Sequence, residues 1–101
     1  MASRLELQQE LEKLLKTRHV YYDPPESVKM EYPAIRYEKT DIDTKHANDK
    51  PYMHKKKYQI VVIDRKPDNP VIDEILKMST CTYSTHYTAD NLHHDVMTLY
   101  Y

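Results

Sequence analysis

Residues 56–63, Lys-Lys-Tyr-Gln-Ile-Val-Val-Ile, decide how the rest of the chain is read. Four branched aliphatic residues in a row, Ile60 to Ile63, leave no polar face. Such a run predicts a strand covered on both sides, inside a sheet. Upstream, Tyr32 to Glu38 reads as a second strand, opened by Pro33 at a position where proline is tolerated. Between the two strands, only Ile42, Ala47, Tyr52 and Met53 are apolar. This polar stretch, about 39–55, is expected to be a long loop leaving the sheet, and such loops in small domains are usually functional.

Downstream of the central strand, Asp64 to Asn69 predicts a turn. Asn69 and Pro70 read as an N-cap followed by proline in the first helical position. Val71, Ile72, Ile75 and Leu76 then supply the buried face of a short helix. Thr80 to Thr88 alternates, with Cys81, Tyr83, Thr85 and Tyr87 on one side and Thr82, Ser84 and His86 on the other. A turn over Ala89 to Leu92, with Asn91 as the left-handed residue, leads into a final strand, His93 to Tyr100. At the other end, Ser3 and Glu6 form a capping box for a helix over Ser3 to Lys16. Leu7, Leu11, Leu14 and Leu15 make its apolar stripe, with Gln8, Gln9, Glu12, Lys13 and Lys16 on the wet side. Thr17 to Val28 is an extended connector in which Val20 to Tyr22 can pair at an edge. The order is α-β-β-α-β-β. It predicts one α+β domain over residues 1–101, with an antiparallel or mixed sheet and helices on one face.

Composition narrows the function. The chain has 101 residues, no glycine and a net charge of -1. Absence of glycine argues against phosphate loops, dinucleotide fingerprints and nucleophile elbows, which need glycine for close backbone approach. Balanced charge argues against a dedicated nucleic-acid binder. The single cysteine, Cys81, excludes a disulfide framework and a cysteine zinc site, and reads as a small core residue. No apolar run is long enough to span a membrane, and the N-terminus lacks a signal-peptide core, so a cytosolic protein is expected.

Six histidines invite a metal or acid–base reading. Of these, His86 and His94 lie close in sequence to Asp90 and Asp95, the set a small metal-dependent enzyme would use. Strand geometry weakens it. His93 and His94 point to opposite faces, and a turn at Asp90–Asn91 sets His86 opposite Asp95 and Tyr87 opposite His94, an ordinary cross-strand arrangement. Neither a metal nor a cofactor is expected, nor a catalytic residue. The ten tyrosines are the stronger signal, because they exceed what one small core can hold and suit surfaces buried on association. A last strand running to Tyr101 also suggests an edge for another subunit.

The block from Tyr83 to Met97 resembles the end of small tail terminator proteins of long-tailed phages and prophages. Those typically read aromatic, three residues, Tyr, two residues, Asp, Gly or Asn, Leu, a polar residue, His, Asp. Residues Tyr58 to Asp68, Tyr32 to Tyr37 and Ala47-Asn48-Asp49 are similar to the other blocks of that family, in order, over essentially the whole chain. Met97 stands where an aromatic is common, and His93 where asparagine is common.

The resemblance implies an α+β subunit of a ring, usually a hexamer, that caps the tail tube, stops its polymerisation and offers a surface to head-completion or connector proteins. Expected partners are further copies of the chain, the major tail tube protein and those connectors, with genome DNA only passing through the lumen and no membrane. The expected location is the tail–head interface of the virion, and the host cytoplasm during assembly. A head–tail joining or neck protein is the alternative within the class. The expected assembly surface comprises Asp41, Asp43, His46, Asn48, Asp49, Lys50 and Tyr52 in the polar stretch. Tyr87, Asp90, His94, Tyr100 and Tyr101 extend it on the C-terminal hairpin.

Overall fold

A computed structural model describes residues 4–25, 27, 29–47, 50–78 and 81–101, with the backbone alone over 41–47 and 50–55. The elements run α1 (Arg4–Leu15), β1 (Val20–Tyr22), β2 (Ala34–Ala47), β3 (Lys50–Asp64), α2 (Val71–Leu76), β4 (Cys81–Ala89) and β5 (Leu92–Tyr100). The five strands form one mixed sheet in the order β1-β2-β3-β5-β4. Only β1 is parallel to its neighbour; the other pairings are antiparallel. The fold is therefore α+β, with both helices on one face, as the patterning predicts.

Strand β3 divides the apolar residues between two layers. Ile60 and Val62 join Tyr58, Ile35, Tyr37, Met97 and Leu99 beneath the helices, where Leu7, Leu11, Leu15, Val71 and Ile75 cover them. Val61 and Ile63 face the other way, with Val96, under Met30, Tyr32 and Leu92. A 12-residue helix such as α1 is marginal alone in water, so burial of its leucine stripe holds it. Leu7 and Leu11 are fully buried, each contributing about 1.5–3 kcal/mol.

Gln8, expected on the wet side of α1, is half-buried instead. Its side-chain N–H donates to Val20 O at 2.9 Å, and its Oε1 accepts from the Tyr37 hydroxyl. A buried phenol needs a partner, and an amide at this position supplies both a donor and an acceptor. Ser3 of the expected capping box lies outside the described residues.

Asn69 behaves as the cap the sequence predicts. Pro70 already has helical dihedrals, and Asn69 Oδ1 accepts from the Val71 N–H at 2.9 Å. Asp64 braces the preceding turn, accepting from Asn69 Nδ2 at 2.7 Å.

Two expectations are corrected. The long polar loop at about 39–55 is mostly paired strand: β2 and β3 continue through it, with Asp41 opposite Lys57 and Asp43 opposite Lys55. Opposite charges placed across a ladder favour pairing where no core can. The C-terminal strand is also not an open edge. β5 pairs with β3 from Lys57–Tyr100 to Asp64–His93, and with β4 on its other side.

Without glycine, turns fall to other residues. Asp90 and Asn91, at φ 52 and 62, make the β4–β5 turn. Both positive dihedrals match the two-residue turn that follows strand twist. Lys16 ends α1 at φ 64, a left-handed position where a Cβ is unfavourable. Lys16→Gly is therefore expected to raise stability by about 1 kcal/mol, or roughly 4–8 °C in Tm for a domain of this size. An unchanged melting curve would show that the lysine side chain offsets the backbone strain.

Burial pushes the Tyr37 hydroxyl above the usual tyrosine range, against the opposing pull of Arg4, and burial raises Tyr58 likewise. A raised folded value means the native state holds these protons more tightly than the unfolded chain. Their contribution is complete below the unfolded value of about 10 and is lost as pH rises through the folded values. The urea midpoint is expected to hold from pH 8 to about 9.5 and to fall beyond about 10. Tyr37→Phe should make that fall shallower.

Candidate assembly surfaces

Three features of the described residues leave the packed body: an arm, an open edge and a cleft. The arm is the far part of β2 and β3. Lys57 is the last β3 residue paired with β5, through Tyr100, and the Tyr101 N–H still donates to Lys56 O at 2.9 Å; past Lys56 the described part of β3 pairs with β2 alone. Residues 43–47 and 50–55 thus form a two-stranded ribbon, about 20 Å long at ~3.3 Å per residue. The molecule is accordingly elongated, 51 Å by 26 and 23 Å. Of the expected arm residues, Asn48 and Asp49 lie outside the described residues. Asp41, Asp43, His46, Lys50 and Tyr52 are placed by their backbone: the first three on β2, the last two on β3.

The open edge is β4. From Thr82 to Ala89 every residue is exposed. The strand has no Lys, Pro, Asp or Glu to blunt it, although an irregularity at Ser84 shifts its register against β5. The opposite edge is tied down, because Gln8 of α1 takes Val20 O on β1.

The register between β4 and β5 follows the turn, with His86 opposite Asp95 and Tyr87 opposite His94. The extra residue at Ser84 then corrects the expected alternation along β4. It places Tyr83 on the same face as His86, and both reach Asp95. Tyr83 donates its hydroxyl proton to Asp95 Oδ1 at 2.7 Å, and His86 Nδ1 lies 3.0 Å from the same oxygen. Asp95 is buried, so these partners offset the cost of its charge. The ring of His93 lies 5.5 Å from that of His86.

His94, by contrast, is on the far face of the sheet. It stacks on Tyr87 with ring centroids 4.6 Å apart and planes 11° from parallel. Asp90 is exposed in the turn. The structure therefore brings His86 and Asp95 together but not His94 or Asp90, so the four do not make one site. Among the described residues no group of three or more His, Cys, Asp and Glu is arranged to hold a metal ion. Cys81 packs at the edge of the helix-side core, and burial pushes its thiol up, away from thiolate reactivity. Tyr101 packs against that same core, and Tyr100 is half-buried on the interior strand β5.

The cleft was not legible from sequence. It lies on the face without helices, between the 23–33 connector and the sheet, with a volume of about 340 Å³. Pro24, Pro25 and Met30 line it from the connector and Val61 and Ile63 from β3, with Arg36 on the β2 side of β3 and His94 and Tyr87 on the opposite side. The connector is tied to the body by His19, whose Nε2 lies 3.0 Å from Glu31 Oε2 and whose Nδ1 lies 3.2 Å from Pro33 O. The Glu31 N–H also donates to the Tyr21 hydroxyl at 3.2 Å. Arg36 follows from strand parity: Ile35 and Tyr37 face the helices, so Arg36 faces the cleft. The sequence signal was a lone arginine between two core residues, which alternation alone does not mark as special.

No helix among the described residues is long and apolar enough to cross a membrane. No model of a known protein family matches the chain, and no curated protein compared with it matches.

The hydrogen bond from Tyr83 to Asp95 raises the phenol above its ordinary range, because the proton is shared with an anion. Asp95→Asn is expected to return Tyr83 toward the ordinary tyrosine value. An NMR titration of the Tyr83 Cζ resonance checks this; an unmoved midpoint would show that the Asp95 carboxylate does not set it.

Proposed function

We propose that the chain is a structural assembly protein, a subunit of a ring that caps the tail tube of a long-tailed phage or prophage, without a catalytic role. The observation that carries this reading is the arm. A two-stranded ribbon with no third strand is marginal in water. Here one projects from a sheet whose other edge, β4, is open as well. Ribbon and edge lie on different parts of the molecule, which suits the head-to-tail contacts of a closed ring of identical subunits. The tail-terminator resemblance supplies the identity of the tube and head partners; the architecture supports only the assembly part of the reading. A neck or joining protein would use the same features. The enzyme alternative has less support, since its four residues do not converge.

Shortening the arm tests the proposal. Replacing residues 44–53 by Asn-Gly removes only ladder pairs between β2 and β3 that lie past the end of β5. The monomer is expected to keep its circular dichroism and melt within about 1 kcal/mol of the parent. Ring formation in light scattering, and capping of tail tubes by electron microscopy, should be lost. Assembly at the parental level would remove the arm from the interface.

A further inference from the structure

We infer that the cleft under the 23–33 connector receives an acidic side chain, flanked by an apolar residue, from an extended segment of a partner protein. This deepens the assembly reading and rests on it for the source of the segment. Arg36 is the central observation. It is half-buried among apolar walls, yet its guanidinium has no hydrogen-bond or ion-pair partner among the described residues. A guanidinium offers five N–H donors in a fixed fork, and leaving it partly desolvated and unpaired is unfavourable. A carboxylate fits that fork with two parallel hydrogen bonds.

The remaining walls select the kind of anion. Among the described residues lining the cleft Arg36 is the one fixed cation, which favours a single negative charge over a phosphate dianion. Pro24, Met30 and Val61 offer apolar surface beside it, so the carboxylate should come with an apolar neighbour. About 340 Å³ is near the lower end of ligand-site volumes, room for side chains and not for a folded element. Tyr87 connects the cleft to the open strand, because it lines the first and belongs to the second. A segment crossing the strands over the cleft, from β2 toward β4, sets one side chain at Arg36 and its neighbours near His94 and Tyr87, the latter about 14 Å away at ~4.8 Å per strand.

The test uses the full chain and two blocked pentapeptides, alanine-leucine-glutamate-leucine-alanine and the same peptide with glutamine for glutamate. Binding is read from the Arg36 side-chain N–H and the Tyr87 and His94 ring resonances. The glutamate peptide is expected to shift all three and to bind about tenfold more tightly than the glutamine peptide, the scale of one charge-assisted pair. Arg36→Gln should abolish that preference, and Arg36→Lys, which keeps the charge but not the fork, should reduce it. Backbone amide shifts of β2 report whether either variant folds; if Arg36→Gln does not, Arg36→Lys decides. Equal binding of both peptides, or shifts confined to β4 or the arm, overturns the proposal. Inorganic phosphate binding the cleft more tightly than the glutamate peptide also overturns it, in favour of a simple anion site. Because no assembly is required, failure here is distinguishable from failure of the ring reading, which the shortened arm tests.

Discussion

The buried hydroxyl of Tyr37 is the constraint on which the rest of the packing depends. Its ring lies at the centre of the helix-side core, fully removed from solvent, 5.0 Å from the Tyr22 ring and 6.0 Å from that of Tyr58. A phenol there must be hydrogen-bonded, or the fold bears the cost of desolvating it. Gln8 accepts its proton, and Arg4 Nη1 approaches it at 3.4 Å. Gln8 also donates to Val20 O, and Arg4 lies 4.5 Å over the Tyr22 ring. One hydroxyl thereby fixes the rotation of α1 on the sheet and the position of β1 beside β2. The leucine stripe supplies most of the attraction, but it is non-directional. The polar contacts choose one helix orientation among those the stripe would permit.

From that fixed body the chain projects what it does not bury. The helix layer covers β2, β3 and β5, while β4 remains exposed on both sides and the arm extends past the last rung of β5. The other face carries only a small apolar cluster beneath the connector, and leaves Arg36, Tyr87 and His94 around a cleft. A 101-residue domain has little core to spare, and exposed structure of this extent is what the proposed assembly role draws on. Tyrosine suits both sides of this division. Tyr37 and Tyr58 are core residues, whereas Tyr83 and Tyr87 present large rings on the open strand.

Much of the fold was legible because each element carries its own local signal. Ile60 to Ile63 announced a strand covered on both faces, and the two layers divide those four residues in turn. Asn69-Pro70 announced the start of α2, and Asp90-Asn91 announced a tight turn whose position determined that His86 would oppose Asp95. The arm was missed for a physical reason. A ribbon whose residues are mostly polar has no apolar alternation, so the period that identifies strands is absent. Its signal was charge pairing instead: Asp41 and Asp43 stand opposite Lys57 and Lys55 in one continuous register.

The sequence by itself determined the element types outside the arm, the α+β class, the turn register and the central place of β3, since these depend on propensity, capping and local period. Tertiary structure alone decided the strand order, which put β5 inside the sheet and β4 at its edge. It also decided that one extra residue at Ser84 brings Tyr83 and His86 to the same carboxylate, that Gln8 is a core ligand and not a surface residue, and that Arg36 faces a cleft. Each of these depends on which distant residues become neighbours. Periodicity tells which face of an element is buried; it does not tell what that face is buried against.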